Sequence, residues 1–408
     1  MLQGDIVIIG AGFGGVWSAL AAQRLIKLKQ KELQVIVIAP EPLLGIRPRY
    51  YEANVSNMAC PLGPLFESAG IRFVQATVTG INTAGNFIEF EPKSGTDSKI
   101  QYERLILAAG SQVARPSQVS GIAKFAFDID TIRSAAKLES HLENLASLPP
   151  TPARDTIVIC GGGFTGLELA TELPGRLGKH KQIRIILVES AKEIGPELGS
   201  GPRPAIKEAL ESLGIEVRLG LAVTAIDADA VHLASGERID TKTAIWTAGM
   251  RATPLTQQIA GPRDALSRLH VDQWLRVPST RNVYATGDTA YALADAEGHY
   301  ALMSCQHALA LGRISGHNAA AELLGEPMIE YSQPAYNTCL DLGAWGAVVT
   351  AGWHREIKLS GNSAKSVKTF INQKLIYPPQ NVEDALSAAN PQGIDSDEIL
   401  SQMLVTVK

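Results

Sequence analysis

The chain has 408 residues, 45% hydrophobic and 19% charged, with 37 basic against 41 acidic side chains and a formal charge of −4. That length is too great for one ordinary core and calls for two or three domains, while the composition excludes a disordered chain. So small a net charge gives no electrostatic footprint for a nucleic-acid or acidic-membrane partner.

Residues 5–9, Asp-Ile-Val-Ile-Ile, read as a buried parallel strand, 14–29 as the helix after it, and Leu33 to Ile38 as the next strand. Residues 40–65 are rich in Pro, Arg and Tyr and read as irregular structure on a helix. Short strand-like runs follow (Ile71–Val74, Phe87–Phe90), ending in Leu105-Ile106-Leu107-Ala108-Ala109-Gly110. Residues 128–147 form an amphipathic helical pattern, and Leu148-Pro149-Pro150-Thr151-Pro152 is the clearest linker. A second strand–helix–strand unit then runs through 156–160, 164–177 and Ile183–Val188, completed by a helix at 203–213 and strands near 215–240. Ile245-Trp246-Thr247-Ala248-Gly249 repeats the strand-to-glycine pattern of Leu107–Gly110. A strand and turn at 280–290, a helix at 304–323 and a mixed segment at 330–376 follow, with a helix near Ala364–Asn372. The polar, acidic tail from Pro378 reads as partly disordered.

Two of these junctions carry chemistry. Gly10-Ala11-Gly12-Phe13-Gly14-Gly15 and Gly161-Gly162-Gly163-Phe164-Thr165-Gly166 each fit Gly-x-Gly-x-x-Gly between a strand and a helix. In such a turn the first glycine makes the tight bend, the second lets backbone approach a pyrophosphate, and the third lets helix pack on strand. The helix N-terminus then presents free N–H groups and a positive dipole end to the phosphates. Two such units in one chain predict two dinucleotides side by side, most simply a flavin and a nicotinamide, each in an open cradle.

The acid that ordinarily ends the second strand and binds ribose is replaced in the first unit by Ala39. Glu41, displaced by two residues, either takes that role or remains a solvated loop residue. In the second unit Glu189 ends the strand, 23 positions after Gly166. A carboxylate there accepts the ribose hydroxyls and repels a 2′-phosphate, which favours NADH over NADPH. Glu168, in the first turn of the second helix, is either a simple helix-dipole charge or a group beside the nicotinamide. Gly287-Asp288 ends a further strand and offers a carboxylate to a sugar-alcohol hydroxyl, here the ribityl chain of FAD. The run Arg47-Pro48-Arg49-Tyr50-Tyr51-Glu52 is basic and aromatic, fitting a flank of the flavin, a site for an anionic acceptor, or a salt-bridged helix start. Cys60, Cys160, Cys305 and Cys339 have neither Cys-x-x-Cys nor Cys-x4-Cys spacing, so no metal site or redox dithiol is expected, and a reducing cytoplasm fits. No basic segment precedes the first apolar stretch and no run is long enough to span a bilayer, so neither a signal peptide nor a transmembrane helix is expected.

Taken in order, Gly10–Gly15, Leu105–Gly110, Gly161–Gly166, Thr247–Gly249 and Ala285–Asp288 resemble the two-dinucleotide-binding flavoproteins of the pyridine nucleotide–disulfide oxidoreductase class, over roughly residues 5–320. The class's redox disulfide near the first helix is missing. Within the class the chain is most similar to type II NADH dehydrogenases, on Gly161 to Ala170, on Pro48-x-x-Tyr51, and on the helix Cys305-Gln306-His307-Ala308-Leu309-Ala310-Leu311-Gly312. The family pattern on that helix, Ala-Gln-x-Ala-x-Gln-x-Gly, lines a quinone pocket beside the flavin. Gln306, Ala308 and Gly312 match it, whereas Cys305 replaces Ala and Ala310 replaces the second Gln, removing a polar contact to a quinone carbonyl. His307 reads as a core or surface histidine, with a catalytic role as the alternative.

The resemblance implies an α/β fold of two Rossmann-like domains with a small C-terminal α+β domain. The FAD domain would span 1–112 and 246–322, the inserted NADH domain 113–245, and the C-terminal domain 323–408, serving dimerisation or lying near a membrane. Gly10, Gly12, Phe13, Gly14, Gly15, Glu41, Arg47, Ala109, Gly110, Gly287, Asp288, Cys305 and Gln306 would line the FAD site. Gly161, Gly163, Phe164, Thr165, Gly166, Glu189, Ala248 and Gly249 would line the NADH site. Glu168 and Gln306 would sit at the reacting rings. The implied activity is hydride transfer from NADH to FAD, then electron transfer to a quinone or similar small acceptor. A reductase of a ferredoxin-like partner and an FAD/NADH-binding redox sensor are the alternatives. The expected setting is cytoplasmic, with a peripheral seat on the inner membrane face and a homodimer left open.

Overall fold

The computed structural model describes residues 2–96, 98–178, 183–393 and 396–406. Two parallel sheets carry the molecule. In the first, strands Arg72–Asn82, Val35–Ala39, Leu2–Ile9, Lys99–Leu107 and Val283–Ala285 lie side by side in that order. Phe87–Pro92 runs antiparallel to both Arg72–Asn82 and Lys99–Leu107. In the second, Glu216–Leu219, Arg184–Glu189, Thr156–Cys160 and Thr243–Trp246 are all parallel, again third, second, first, fourth in chain order. The duplication read from the sequence is therefore a duplication of topology. The central strands are near-continuous Ile and Val because both faces are covered. Helices pack on one face, and on the other lie further strands and loops, Ile259, Leu269 and Val277 on the first sheet and the strands around Ile226, Val231 and Ile239 on the second. Ile6–Ile8 and Ile157–Ile159 are fully buried. In each sheet the glycine turn leaves the first strand where the strand order reverses, the crevice in which such folds take ligands.

One helix pair sets the geometry of the first sheet's crevice. Phe13–Leu28 follows the first glycine turn, and Cys305–Leu324 lies against it. A Cβ on Gly312 would sit 2.5 Å from the Gly14 carbonyl oxygen, and one on Gly316 2.0 Å from that of Ser18. Ser18 and Ser315 hydroxyls meet at 3.0 Å in the same seam. The small-residue face of the second helix is thus what brings its N-terminus over the crevice.

Several expected segments differ in detail. Residues 40–65 contain a short antiparallel pair, Leu43–Gly45 with Ala59–Pro61, and the helix that follows is Gly63–Ala69. The helix expected at 128–147 is Ile132–Asn144, started by a Thr131–Ser134 capping box. A sheet of Thr338–Asp341, Ala347–Ala351 and Glu356–Gly361, followed by helix Asn362–Phe370 and a π-turn Ile371–Leu375, forms the C-terminal unit. The tail is not disordered in its described part. Val382–Ala388 is a helix capped by the Asn381 side chain, and Ser396–Thr406 is another. Polar composition hid the buried Ala385 and Ala389, which pin the first of these down. No helix among the described residues is long and apolar enough to cross a membrane.

Candidate functional site

The first glycine turn is built for close backbone approach. Gly10 has φ +107°, and a Cβ there would lie 2.4 Å from the Ala108 carbonyl oxygen; one on Gly15 would lie 1.9 Å from that of Gly10. Gly12 begins the helix without a side-chain cap, and no described atom lies within 4 Å of where its Cβ would be. Open space in front of uncapped N–H groups fits a pyrophosphate. Thr286 and Gly287 close one side, 3.3 and 3.5 Å from the Cβ position of Gly14.

Asp288 and Arg47, singled out separately in the sequence, meet here. The Ser111 hydroxyl donates to Asp288 at 2.6 Å, and Arg47 donates to Ser111 at 2.8 Å while pairing with Asp130 and lying 3.8 Å from Asp288. Burial pushes the Asp288 carboxyl up, and Ser111 and Arg47 pull it back. Ala109 and Gly110 lead directly into Ser111, and Gly110 has φ +67° with open space on its Cβ side. Phe13, the first residue of the helix, is half-buried. Cys305 and Gln306 start the second helix, N-capped by Ser304 at 3.2 Å to the His307 N–H, and Ala308 packs on Gly287. Glu41 stands apart. It is exposed, two residues beyond the strand end, and accepts a hydrogen bond from Gln75 at 3.3 Å.

The second turn repeats the backbone geometry but not the emptiness. Gly161 has φ +123° and packs on Ala248; a Cβ on Gly166 would be 1.8 Å from the Gly161 carbonyl oxygen. Gly249, next after Ala248, also has positive φ, +75°. Thr165 is exposed beside the turn. Where the sequence predicts a bare helix end, however, the Glu197 carboxylate accepts the Phe164 N–H at 2.9 Å and lies 2.6 Å from the Cβ position of Gly163. Glu189 ends its strand as expected, yet its carboxylate is turned onto the loop, accepting from Gly162 N–H at 2.7 Å and Ala191 N–H at 2.8 Å.

Between the two cradles lies a buried charge cluster that the sequence did not reveal. Lys368, from the C-terminal helix, donates to Glu168 at 2.7 Å and to the Cys339 carbonyl at 3.1 Å; the Asp341 N–H donates to the same Glu168 oxygen at 3.1 Å. Its ammonium lies 5.8 Å from the Phe164 ring centre and 5.7 Å from that of Tyr51, whose hydroxyl donates to Asp341 at 2.9 Å. Burial pushes Glu168 up to about 7, against the pull of Lys368. Burial opposes the charge of Lys368, but Glu168 outweighs it and keeps the ammonium protonated. Lys368 also acts on Cys305, whose thiol burial pushes up to about 11, so the pair borders the start of the second crevice helix. Glu168 is therefore an ion-pair partner, not a simple N-terminal helix charge. His307 is a core residue, fully buried, hydrogen-bonded to Ser304 at 3.0 Å and pushed down to about 3, first by burial and then by Arg355 and Arg268. All four cysteines are free.

A family model described as pyridine nucleotide-disulphide oxidoreductase matches residues 4–312. The NADH dehydrogenase-like protein Rv1812c of Mycobacterium tuberculosis is 42% identical over 398 residues, covering 95% of this chain and 98% of its own length. Demethylphylloquinone reductase NdbB of Synechocystis is 30% identical, covering 91% of each chain. Among solved structures, NDH2 from Plasmodium falciparum in complex with NADH superposes with a TM-score of 0.76 at 16% identity, over 94% of this chain and 98% of that one, a likeness of fold.

Proposed function

The chain belongs to the pyridine nucleotide-disulphide oxidoreductase family, and on that premise we propose that it is an FAD-dependent NADH dehydrogenase that passes electrons to a quinone. The observation that carries the reading is the pair of glycine cradles, with the Glu168–Lys368 pair buried between them. Bound FAD would supply the two-electron relay between NADH and acceptor. Gly12, Gly14 and the first-turn N–H groups would hold its pyrophosphate and Asp288 its sugar-alcohol chain, with Ser111 and Arg47 opposing the upward push of burial on the Asp288 carboxyl. The N-terminus of the Cys305–Leu324 helix would stabilise negative charge on the reduced ring. Gly161, Gly163 and Phe164 would take the NADH pyrophosphate, and Glu189 the adenosine ribose.

Quinone reduction by NADH consumes one proton beyond the hydride. Burial raises the Glu168 carboxyl to about 7, which puts it in the range to take up and give back such a proton near neutral pH, and Lys368 keeps a positive charge beside it. The reduction of demethylphylloquinone named in a 30%-identical relative supports a quinone as acceptor. A seat on the inner membrane surface belongs to the same reading, supported by exposed Ile357, Phe370 and Leu375 on the C-terminal unit, as does a homodimer. The test is steady-state NADH oxidation with a naphthoquinone, a benzoquinone, a ferredoxin and oxygen in turn. Turnover with a quinone at least tenfold faster than with the others is expected; a ferredoxin-only response, or none with any acceptor, would replace the reading with a partner reductase or a sensor.

A further inference from the structure

At the start of the helix the two cradles differ by a carboxylate. Glu197 lies in a short turn, Pro196–Leu198, bounded by Gly195 and Gly199, whose φ values are +58° and +76°. Its Oε1 takes the Phe164 N–H at 2.9 Å, in the space a Cβ on Gly163 would fill. That N–H is one of the first-turn donors an incoming phosphate needs, and a carboxylate is held there for the same reason a phosphate would be: free donors and the positive end of the helix dipole. At Gly12 no described side chain does this.

A second feature lies on the other side of the same loop. Arg355, from the turn between two C-terminal strands, packs against it, with its Cγ 3.3 Å from the Cβ position of Gly199 and its carbonyl oxygen 2.5 Å from that of Gly201. Its guanidinium lies 4.5 Å over the Tyr336 ring, the residue is only 7% exposed, and Nη1 has no hydrogen-bond partner among the described residues. Burial disfavours its charge, while Tyr336 and Glu197 favour it. A buried cation with an unused donor thus sits within electrostatic reach of an exposed carboxylate that is held by one backbone N–H.

We propose that Glu197 is a displaceable substitute for the dinucleotide phosphate: it caps the Phe164 helix until NADH arrives, then turns to Nη1 of Arg355. This rests on the reading that NADH occupies the second cradle. The device makes NADH compete with an internal carboxylate, and Arg355 offsets part of that competition by receiving the displaced group. No covalent step is involved.

The test is NADH binding, read as the concentration dependence of flavin reduction in stopped flow, on purified holoprotein. Glu197→Ala removes the competitor and should lower the half-saturating NADH concentration about three- to tenfold, the weight of one helix cap. Arg355→Met keeps the stem packing and should raise that concentration severalfold in the native background, yet leave it unchanged when combined with Glu197→Ala. An unchanged or raised value in Glu197→Ala overturns the proposal, as does an Arg355→Met effect of equal size in both backgrounds. If Arg355→Met fails to fold, Glu197→Ala decides alone. Should the native holoprotein show no reduction by NADH at any concentration, the functional reading fails instead, and the two failures are distinguishable.

Discussion

Glu168 shows how one buried residue can be read as chemistry. Folding raises its pKa from 4.5 to about 7, so between those values the native chain holds a proton the unfolded chain has lost. Its contribution to stability is therefore complete below about pH 4.5 and fades as pH rises to 7. In turnover, the same group should appear as a step near pH 7 in the kcat profile. Glu168→Gln should abolish that step and lower kcat by about tenfold or more. Lys368→Met, which removes the countercharge that lowers Glu168, should move the step to higher pH. A step that persists unmoved in both variants would deny Glu168 the role. Glu189 makes a second prediction at this scale. Glu189→Arg should shift the ratio of KM for NADH to KM for NADPH by at least tenfold towards NADPH; an unmoved ratio would mean that the carboxylate serves only the Gly162 and Ala191 N–H groups it already holds.

At the scale of elements, the seam between Phe13–Leu28 and Cys305–Leu324 decides where the crevice helix begins. Gly316→Ala would put a methyl 2.0 Å from the Ser18 carbonyl and must force the helices apart. A cost of about 1–3 kcal/mol is expected, read as a Tm lower by roughly 1–4 °C for a chain of this length together with faster loss of flavin. Gly175→Ala, in the last turn of the second glycine-turn helix just after Pro174 and with nothing within 4 Å, is the control and should leave Tm unchanged or raise it slightly. Equal effects of the two would mean that helix propensity, not the close approach, governs the seam. The same elements show what a sequence can carry. The glycine turns are legible because their geometry admits no other residue: any Cβ at Gly15 or Gly166 would fall within 2 Å of a carbonyl oxygen. The strand-end acid Glu189 is legible by counting. Lys368 is not, because it reaches Glu168 across 200 positions and lies on a helix whose pattern is ordinary. Glu197 and Arg355 lie in turns without periodicity, and the tail helix Val382–Ala388 is too short and polar to stand out.

At the scale of the molecule, one strand order occurs twice, and the C-terminal unit supplies the lysine that pairs with Glu168 on the second glycine-turn helix. Beside the second cradle, that arrangement gives a part to the third unit. Lys368, Asp341 and Arg355 all come from it, and each acts on the second glycine-turn helix or on the loop beside it. The predicted consequence is that a chain truncated after residue 330 would lose NADH-driven turnover even if flavin remained bound. Retention of full turnover by that truncation would assign the C-terminal unit to packing alone.

The most direct measurement is the visible spectrum of the purified protein titrated anaerobically with NADH. The protein should be yellow, with one FAD per chain, bleached by one equivalent of NADH and recoloured by a quinone. A colourless preparation that takes up no flavin, or a flavin band that NADH leaves untouched, would contradict a flavin-dependent NADH dehydrogenase.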